Sequence, residues 1–337
     1  MGADDIERMV IHDLGVAFAM MGRTSDAVRL AEESLGLAEA AGDRLLLRRC
    51  SINLPSLMAG NGDDWRRILA LMDQGISVAR RAMDRSTLGW LLANRAEMLL
   101  PLGRLEEAID AGEESIATAD ALGVPELAAT RREAHAWTLY QAGRRSEAMD
   151  MSKRAGNLPP EPQAEVWQHV WAAVVRWASD PPGAVTEFAS ALRGDPSRPY
   201  WGVAALWLGR MALRRRDGAA AESASDIVQA ATAGSSGPAR LLERRWMAAL
   251  LLEASAALEA VRAVAQEYEA RGYLLTAADA FADAAILAAR AGADAAELTD
   301  SAIGLYERCG AVPMLDALPE SRWYGTDPVA ADVVPNA

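Results

Sequence analysis

The 337-residue sequence is short of several residue types, and each shortage excludes a class of protein. Its two cysteines, Cys50 and Cys309, lie far apart in apolar helical patterns, which is no disulfide framework and fits a reducing compartment. Lys153 is the one lysine among 34 basic residues, against 47 acidic ones. The formal net charge of −13 argues against a nucleic-acid-binding surface, which needs positive charge to neutralise phosphates.

Long apolar runs are also missing. The richest stretch, residues 273–289, is interrupted by Asp279 and Asp283, and a membrane span needs about 20 apolar residues. The N-terminal residues are acidic and polar, unlike a secretory signal. We therefore expect a cytoplasmic protein that does not enter a membrane. High alanine and arginine with almost no lysine is typical of GC-rich bacterial genomes.

Alanine is what the sequence has in abundance, with 71 residues, while aromatic residues make up only 6%. Alanine has the highest helix propensity, whereas strands favour branched and aromatic side chains. The composition therefore predicts an all-α protein.

A repeated pattern organises the chain. Gly22 is followed five residues later by Ala27, at the turn from one apolar helix to the next. The same step joins Gly103 to Ala108 and Gly143 to Ala148, and weaker copies place the early alanine at Ala184, Ala221 and Ala296. With one degenerate copy in residues 43–83 and another in 238–270, the mean spacing is about 38 residues. Such a unit holds two helices and two tight turns, and copies must stack to share a core. The pattern predicts eight helical hairpins.

The first copy resembles a tetratricopeptide repeat (TPR). Leu14, Gly15, Phe18, Gly22 and Ala27 match, in order, the residues that recur in that family. The resemblance implies a right-handed superhelix of about eight TPR-like hairpins over residues 3–312. We expect a terminal helix remnant and a loose tail over 313–337.

The longer period is similar to the carboxy-terminal repeat region of large bacterial signalling ATPases, such as LuxR-type transcription activators and cyclase-linked regulators. Residues 277–311 are similar in style to their last repeats. Those proteins also carry a nucleotide-binding domain and often a DNA-binding helix-turn-helix, and the motifs of neither are present here. The resemblance thus places the chain in bacterial signalling or transcription regulation, either as a fragment of such a regulator or as a free-standing repeat protein.

Catalytic and metal-binding patterns are not found. The three histidines, His12, His135 and His169, fall in three different repeats, and no Cys/His cluster has metal-ligand spacing. Acidic pairs mostly lie near helix starts, where they offset the helix dipole. We therefore predict no catalysis, no cofactor and no metal.

The ten tryptophans are the best functional lead, because tryptophan is enriched where partners bind. Aligning each first helix on its alanine anchor predicts which side chains line the concave face. The predicted stripe consists of Trp90, Glu97, Glu133, Trp137, Tyr140, His169, Arg176, Trp177, Leu206, Arg210 and Arg214. The competing interpretation is that these side chains fill gaps between degenerate repeats.

The sequence favours a non-catalytic scaffold that holds a protein or peptide in its groove. The alternative is a sensor that closes on a small-molecule effector between the repeats of Trp137 and Trp207. Pairing of terminal hairpins into a homodimer stays open.

Overall fold

The computed structural model describes residues 3–159, 170–174, 177, 180–192, 201–233, 237–313 and 315. These residues contain no β-strand. They form fifteen helices of defined bounds, and residues 170–174 and 177 are helical as well. The helices are α1 (Ala3–Met20), α2 (Thr24–Ala41), α3 (Arg44–Asn61), α4 (Trp65–Arg81), α5 (Arg85–Leu99), α6 (Leu105–Leu122), α7 (Pro125–Gln141), α8 (Arg145–Gly156), α9 (Pro181–Ala191), α10 (Trp201–Arg215), α11 (Gly218–Ala231), α12 (Pro238–Leu250), α13 (Ala254–Ala270), α14 (Leu274–Ala291) and α15 (Ala296–Cys309).

Consecutive helices pair into hairpins, numbered 1 to 8 along the chain. Hairpins 1 to 4 are α1–α2, α3–α4, α5–α6 and α7–α8, and hairpins 6 to 8 are α10–α11, α12–α13 and α14–α15. In hairpin 5, helical residues 170–174 and 177 precede α9. The predicted all-α array of eight hairpins is confirmed, including both degenerate copies. The predicted tail, 313–337, lies almost wholly outside the described residues.

The alanine anchors explain how the helices of a hairpin approach each other. Ala27, Ala108, Ala148 and Ala184 are each the fourth residue of a second helix and are fully buried. Ala221 holds the same place in α11 but is only half-buried. The anchor predicted in hairpin 8 is wrong: Ala296 is the first residue of α15 and is exposed, and the fourth residue is Thr299, which is buried.

The array also closes on itself, which the sequence did not predict. The turn of hairpin 1 contacts the end of hairpin 6, since a Cβ on Gly22 would lie 3.2 Å from the Ala233 carbonyl oxygen. In hairpin 2, the Trp65 indole donates to the Arg271 carbonyl at the end of hairpin 7 (3.1 Å). Hairpin 3 meets hairpin 8, where the Leu275 amide donates to the Pro101 carbonyl (3.1 Å). Each contact joins hairpins five apart, so successive turns of the superhelix touch.

Candidate functional site

The predicted concave stripe is mostly buried rather than exposed in an open groove. Trp90 is half-buried and Glu97 is exposed, whereas the remaining described members are buried or nearly so. His169 and Arg176 lie outside the described residues. The buried members are Glu133, Trp137, Tyr140, Trp177, Leu206, Arg210 and the side chain of Arg214. A partner could reach these side chains only if the array opened, so their role in binding stays a prediction.

Aromatic rings fill the inside of the array where hairpins 4, 6 and 7 meet. The rings of Trp137 and Trp207 contact each other edge to face, with centroids 5.0 Å apart. The Arg210 guanidinium lies 4.2 Å from the Trp207 ring centroid and 5.1 Å from that of Trp246, within the range of cation–π attraction. The space between Trp137 and Trp207, where the sensor alternative places a small-molecule effector, is therefore occupied by the two rings themselves.

A buried ionic network ties hairpin 6 to hairpin 8. Arg210 is 2% exposed, and its Nε donates to Asp283 Oδ2 (2.9 Å). Its Nη2 lies 3.1 Å from Asp279 Oδ1. Arg214 Nη1 donates to the other carboxylate oxygen of Asp283 (2.7 Å). Two arginines thus face two aspartates across the inside of the array.

Two aromatic side chains complete this network. Trp246 of hairpin 7 donates its indole N–H to Asp283 Oδ2 (3.1 Å), and Tyr306 donates its hydroxyl to Asp279 Oδ1 (2.7 Å). Burial would lower the pKa of Arg210, but the carboxylates of Asp279 and Asp283 outweigh it and raise that pKa. Burial and the Asp279 carboxylate raise the pKa of Tyr306. Two arginines and two aspartates balance one another in charge, so the network holds three hairpins together.

Neither aspartate of this network was predicted as a site residue, although the sequence contains a pattern that indicates their pairing. Asp279 and Asp283 stand four residues apart, on one face of α14, in the most apolar stretch of the chain. Paired charges in such a helix need partners of the opposite sign. That spacing could have pointed to two arginines elsewhere on the inner face.

A second group of charged side chains lies where hairpins 3 and 4 meet. The Arg131 guanidinium stacks 4.4 Å from the Trp90 ring centroid. Although part of the Glu97 side chain is exposed, the surrounding protein desolvates its carboxylate and raises its pKa, and the charge of Arg131 partly offsets that effect. Glu133, 6% exposed, accepts hydrogen bonds from the Ser152 hydroxyl, which lies 3.0 Å from each carboxylate oxygen. Burial raises the pKa of Glu133 to about 7 despite that donor.

Because of Glu133, we expect the stability of the folded chain to fall as pH rises. Between its ordinary value of 4.5 and about 7, the folded chain keeps a proton that the unfolded chain has released. The free energy of unfolding therefore decreases across this window, by about 3 kcal/mol in total. Glu133→Gln keeps an acceptor for Ser152 and removes the ionisation. Urea denaturation from pH 4.5 to 8 should show the variant gaining stability relative to the native chain as pH rises. Glu259→Gln, at an exposed carboxylate, is the control, and its free energy of unfolding should change with pH as that of the native chain does. If Glu133→Gln also follows the native chain, Glu133 is solvated and the prediction is wrong.

No metal site forms within the described ranges, where no three His, Cys, Asp or Glu side chains come together. The His12 ring pairs with Asp13 (3.1 Å) and Asn53 (3.2 Å). Burial lowers the pKa of His135 to about 4. Cys50 and Cys309 are both free and buried.

The surface carries a groove of about 660 Å³ between α12 and α13. Leu241, 42% exposed, is one of its apolar lining residues. Glu267 orders the rim, because it accepts from Arg245 Nη1 (2.6 Å) and from Arg271 Nη2 (2.9 Å). Although burial opposes it, these hydrogen bonds lower the pKa of Glu267. The groove is lined by Pro238, Leu241, Leu242, Arg244, Arg245, Ala248, Glu267 and Arg271.

The helix pairing defines the class of this chain, an all-α array of helical hairpins. No family model matches the chain, and no curated protein matches it either. Among solved structures, the chain is similar to the crystal structure of the P58(IPK) TPR domain, with 15% sequence identity. That match covers 90% of this chain and 92% of the other, at a TM-score of 0.26. The fold assignment rests on the hairpins themselves. None of the described helices is both long enough and apolar enough to cross a bilayer.

Proposed function

We propose that this chain is a non-catalytic scaffold that binds an acidic, amphipathic segment of a partner protein in the α12–α13 groove. The observation that carries the proposal is the combination of an exposed leucine with three arginines, in a chain whose net charge is −13. Apolar contact supplies affinity, while the arginines select carboxylates and orient the segment.

The arginines of the rim are suited to this role in two ways. Arg245 and Arg271 are held by one shared carboxylate, so little side-chain freedom is lost when a partner binds. Arg244 is exposed, and no acidic partner is found for it among the described residues. Together the three guanidinium groups outnumber the single carboxylate of Glu267, and the groove keeps a net positive charge.

Affinity purification with the native chain, followed by cross-linking from a photoreactive residue, tests this proposal. A photoreactive residue at position 241 is expected to capture the partner, and one at Val78, which is 50% exposed on α4, is not. Leu241→Asp and Arg244→Glu should each weaken binding of that partner at least about tenfold. Val78→Asp should leave the affinity unchanged. Equal binding by all three variants would exclude the groove.

The process in which the partner takes part is inferred from the resemblance to the repeat region of LuxR-type and cyclase-linked regulators. On that basis the partner belongs to cytoplasmic bacterial signalling or transcription regulation. A homodimer would also bring acidic surfaces of a second copy within reach of the groove. The same purification separates these cases, because a heterologous partner and a second copy differ in mass.

A further inference from the structure

Four arginines gather where hairpins 6 and 8 turn. Arg214 and Arg215 end α10, Arg216 lies in the turn that follows, and Arg290 lies in the last turn of α14. The Arg290 Nη2 donates to the backbone carbonyl of Arg214 (3.4 Å), which joins the two turns. This cluster lies outside the α12–α13 groove, and a role for it is independent of the function proposed for that groove.

The cluster is not neutralised by the carboxylates around it. Asp283 pairs with Arg214 and Arg210, and Asp279 pairs with Arg210. These two aspartates balance two arginines. For Arg215, Arg216 and Arg290, the described part of the chain supplies no acidic partner. An excess of positive charge therefore collects at one edge of an acidic protein.

Two details show that the donors and charges of this cluster are not fully satisfied. The Arg214 side chain is 6% exposed, and its buried Nε has no hydrogen-bond acceptor among the described residues. Burial, together with the charges of Arg216 and Arg214, lowers the pKa of Arg290, so these guanidinium groups repel one another. An oxyanion at this place would pair with the exposed Arg216 and the half-buried Arg290 and relieve the repulsion.

Arg216 occupies a backbone conformation that suits glycine. Its φ is +55°, in the left-handed region where a side chain is unfavourable. The corresponding turns of hairpins 1 to 4 carry glycine with positive φ, namely Gly22, Gly62, Gly103 and Gly143. Met83 has a similar φ of +54°, so the strain at Arg216 is a cost to the fold, and the case for its side chain rests on the charges around it.

We propose that Arg214, Arg216 and Arg290 form a binding site for an oxyanion with two or more negative charges, of the phosphate class. Guanidinium groups bind phosphate oxygens in pairs of parallel hydrogen bonds. Such a site gives the small-molecule alternative a defined place, at the edge of the array rather than between Trp137 and Trp207.

Calorimetric titration of the full chain with pyrophosphate, inorganic phosphate and citrate tests this site, alongside thermal denaturation at constant ionic strength. Pyrophosphate is expected to bind the native chain and raise its Tm, with phosphate weaker and citrate weakest. Arg290→Gln and Arg216→Gly should each weaken pyrophosphate binding about tenfold or more. Citrate binding as tightly as pyrophosphate would overturn the assignment to phosphate.

Arg216→Gly separates binding from folding. Without ligand, this variant should melt at the same temperature as the native chain or higher, because glycine removes the backbone cost. Arg66→Gln, at an exposed arginine on α4, should keep both the affinity and the Tm shift. The proposal fails if pyrophosphate does not bind the native chain. It also fails if Arg216→Gly binds as the native chain does, or if Arg66→Gln loses as much affinity as Arg290→Gln.

Discussion

Replacing Asp283 with alanine is expected to lower the free energy of unfolding by about 3–5 kcal/mol, because breaking a buried ion pair leaves the opposite charge uncompensated. Asp283 is fully buried and accepts from Arg210, Arg214 and Trp246. Its loss strands the Arg214 guanidinium, which pairs with no other carboxylate among the described residues, whereas Arg210 keeps Asp279. Urea denaturation at neutral pH, followed by circular dichroism, measures the change.

A matched control for this prediction is Asp26→Ala. Asp26 also accepts from an arginine, Arg23, but both side chains are well exposed, and such pairs contribute about 0–1 kcal/mol. The double variant Arg214→Met/Asp283→Asn should recover part of the loss, because it removes the stranded charge as well as its partner and leaves the Arg210–Asp279 pair in place. An Asp283→Ala chain no less stable than Asp26→Ala would mean that water reaches the network.

The number and placement of the hairpins followed from the sequence because the determinants are local. A glycine at the end of one helix and a small residue one turn into the next act within about ten residues of each other. Where that local signal weakens, the prediction fails too: the repeat pattern puts Ala296 at the anchor position, but α15 begins at that residue.

The contents of the concave face could not be predicted in the same way. The alignment of first helices places Arg210 on the inner face, but its partner Asp283 lies 73 residues further along the chain. Whether an inner face is an open groove or a packed interior depends on how tightly the array curves. Curvature accumulates from small rotations between neighbouring hairpins, and no single residue encodes it. The closed contacts between turns are therefore a property of the whole array.

Gly103→Ala is expected to test that closure directly and to cost at least about 3 kcal/mol, the sum of backbone strain and overpacking. Gly103 has φ +77° in the turn of hairpin 3. A Cβ there would overlap the Cys309 Sγ and lie 2.9 Å from the Cys309 Cβ, at the end of hairpin 8. Thermal and urea denaturation measure the loss, and small-angle X-ray scattering shows whether the folded variant has expanded.

Gly123→Ala isolates the contribution of strain, because Gly123 has φ +68° and an added methyl group there would meet no described atom within 4 Å. That variant should lose only about 1 kcal/mol. Adding Cys309→Ala to Gly103→Ala removes the overlapping sulfur and should restore part of the difference, since the clash arises between hairpins 3 and 8. If Gly103→Ala costs no more than Gly123→Ala and leaves the radius of gyration unchanged, hairpins 3 and 8 are apart in solution. The inner face would then be an open groove, accessible to a partner along its length.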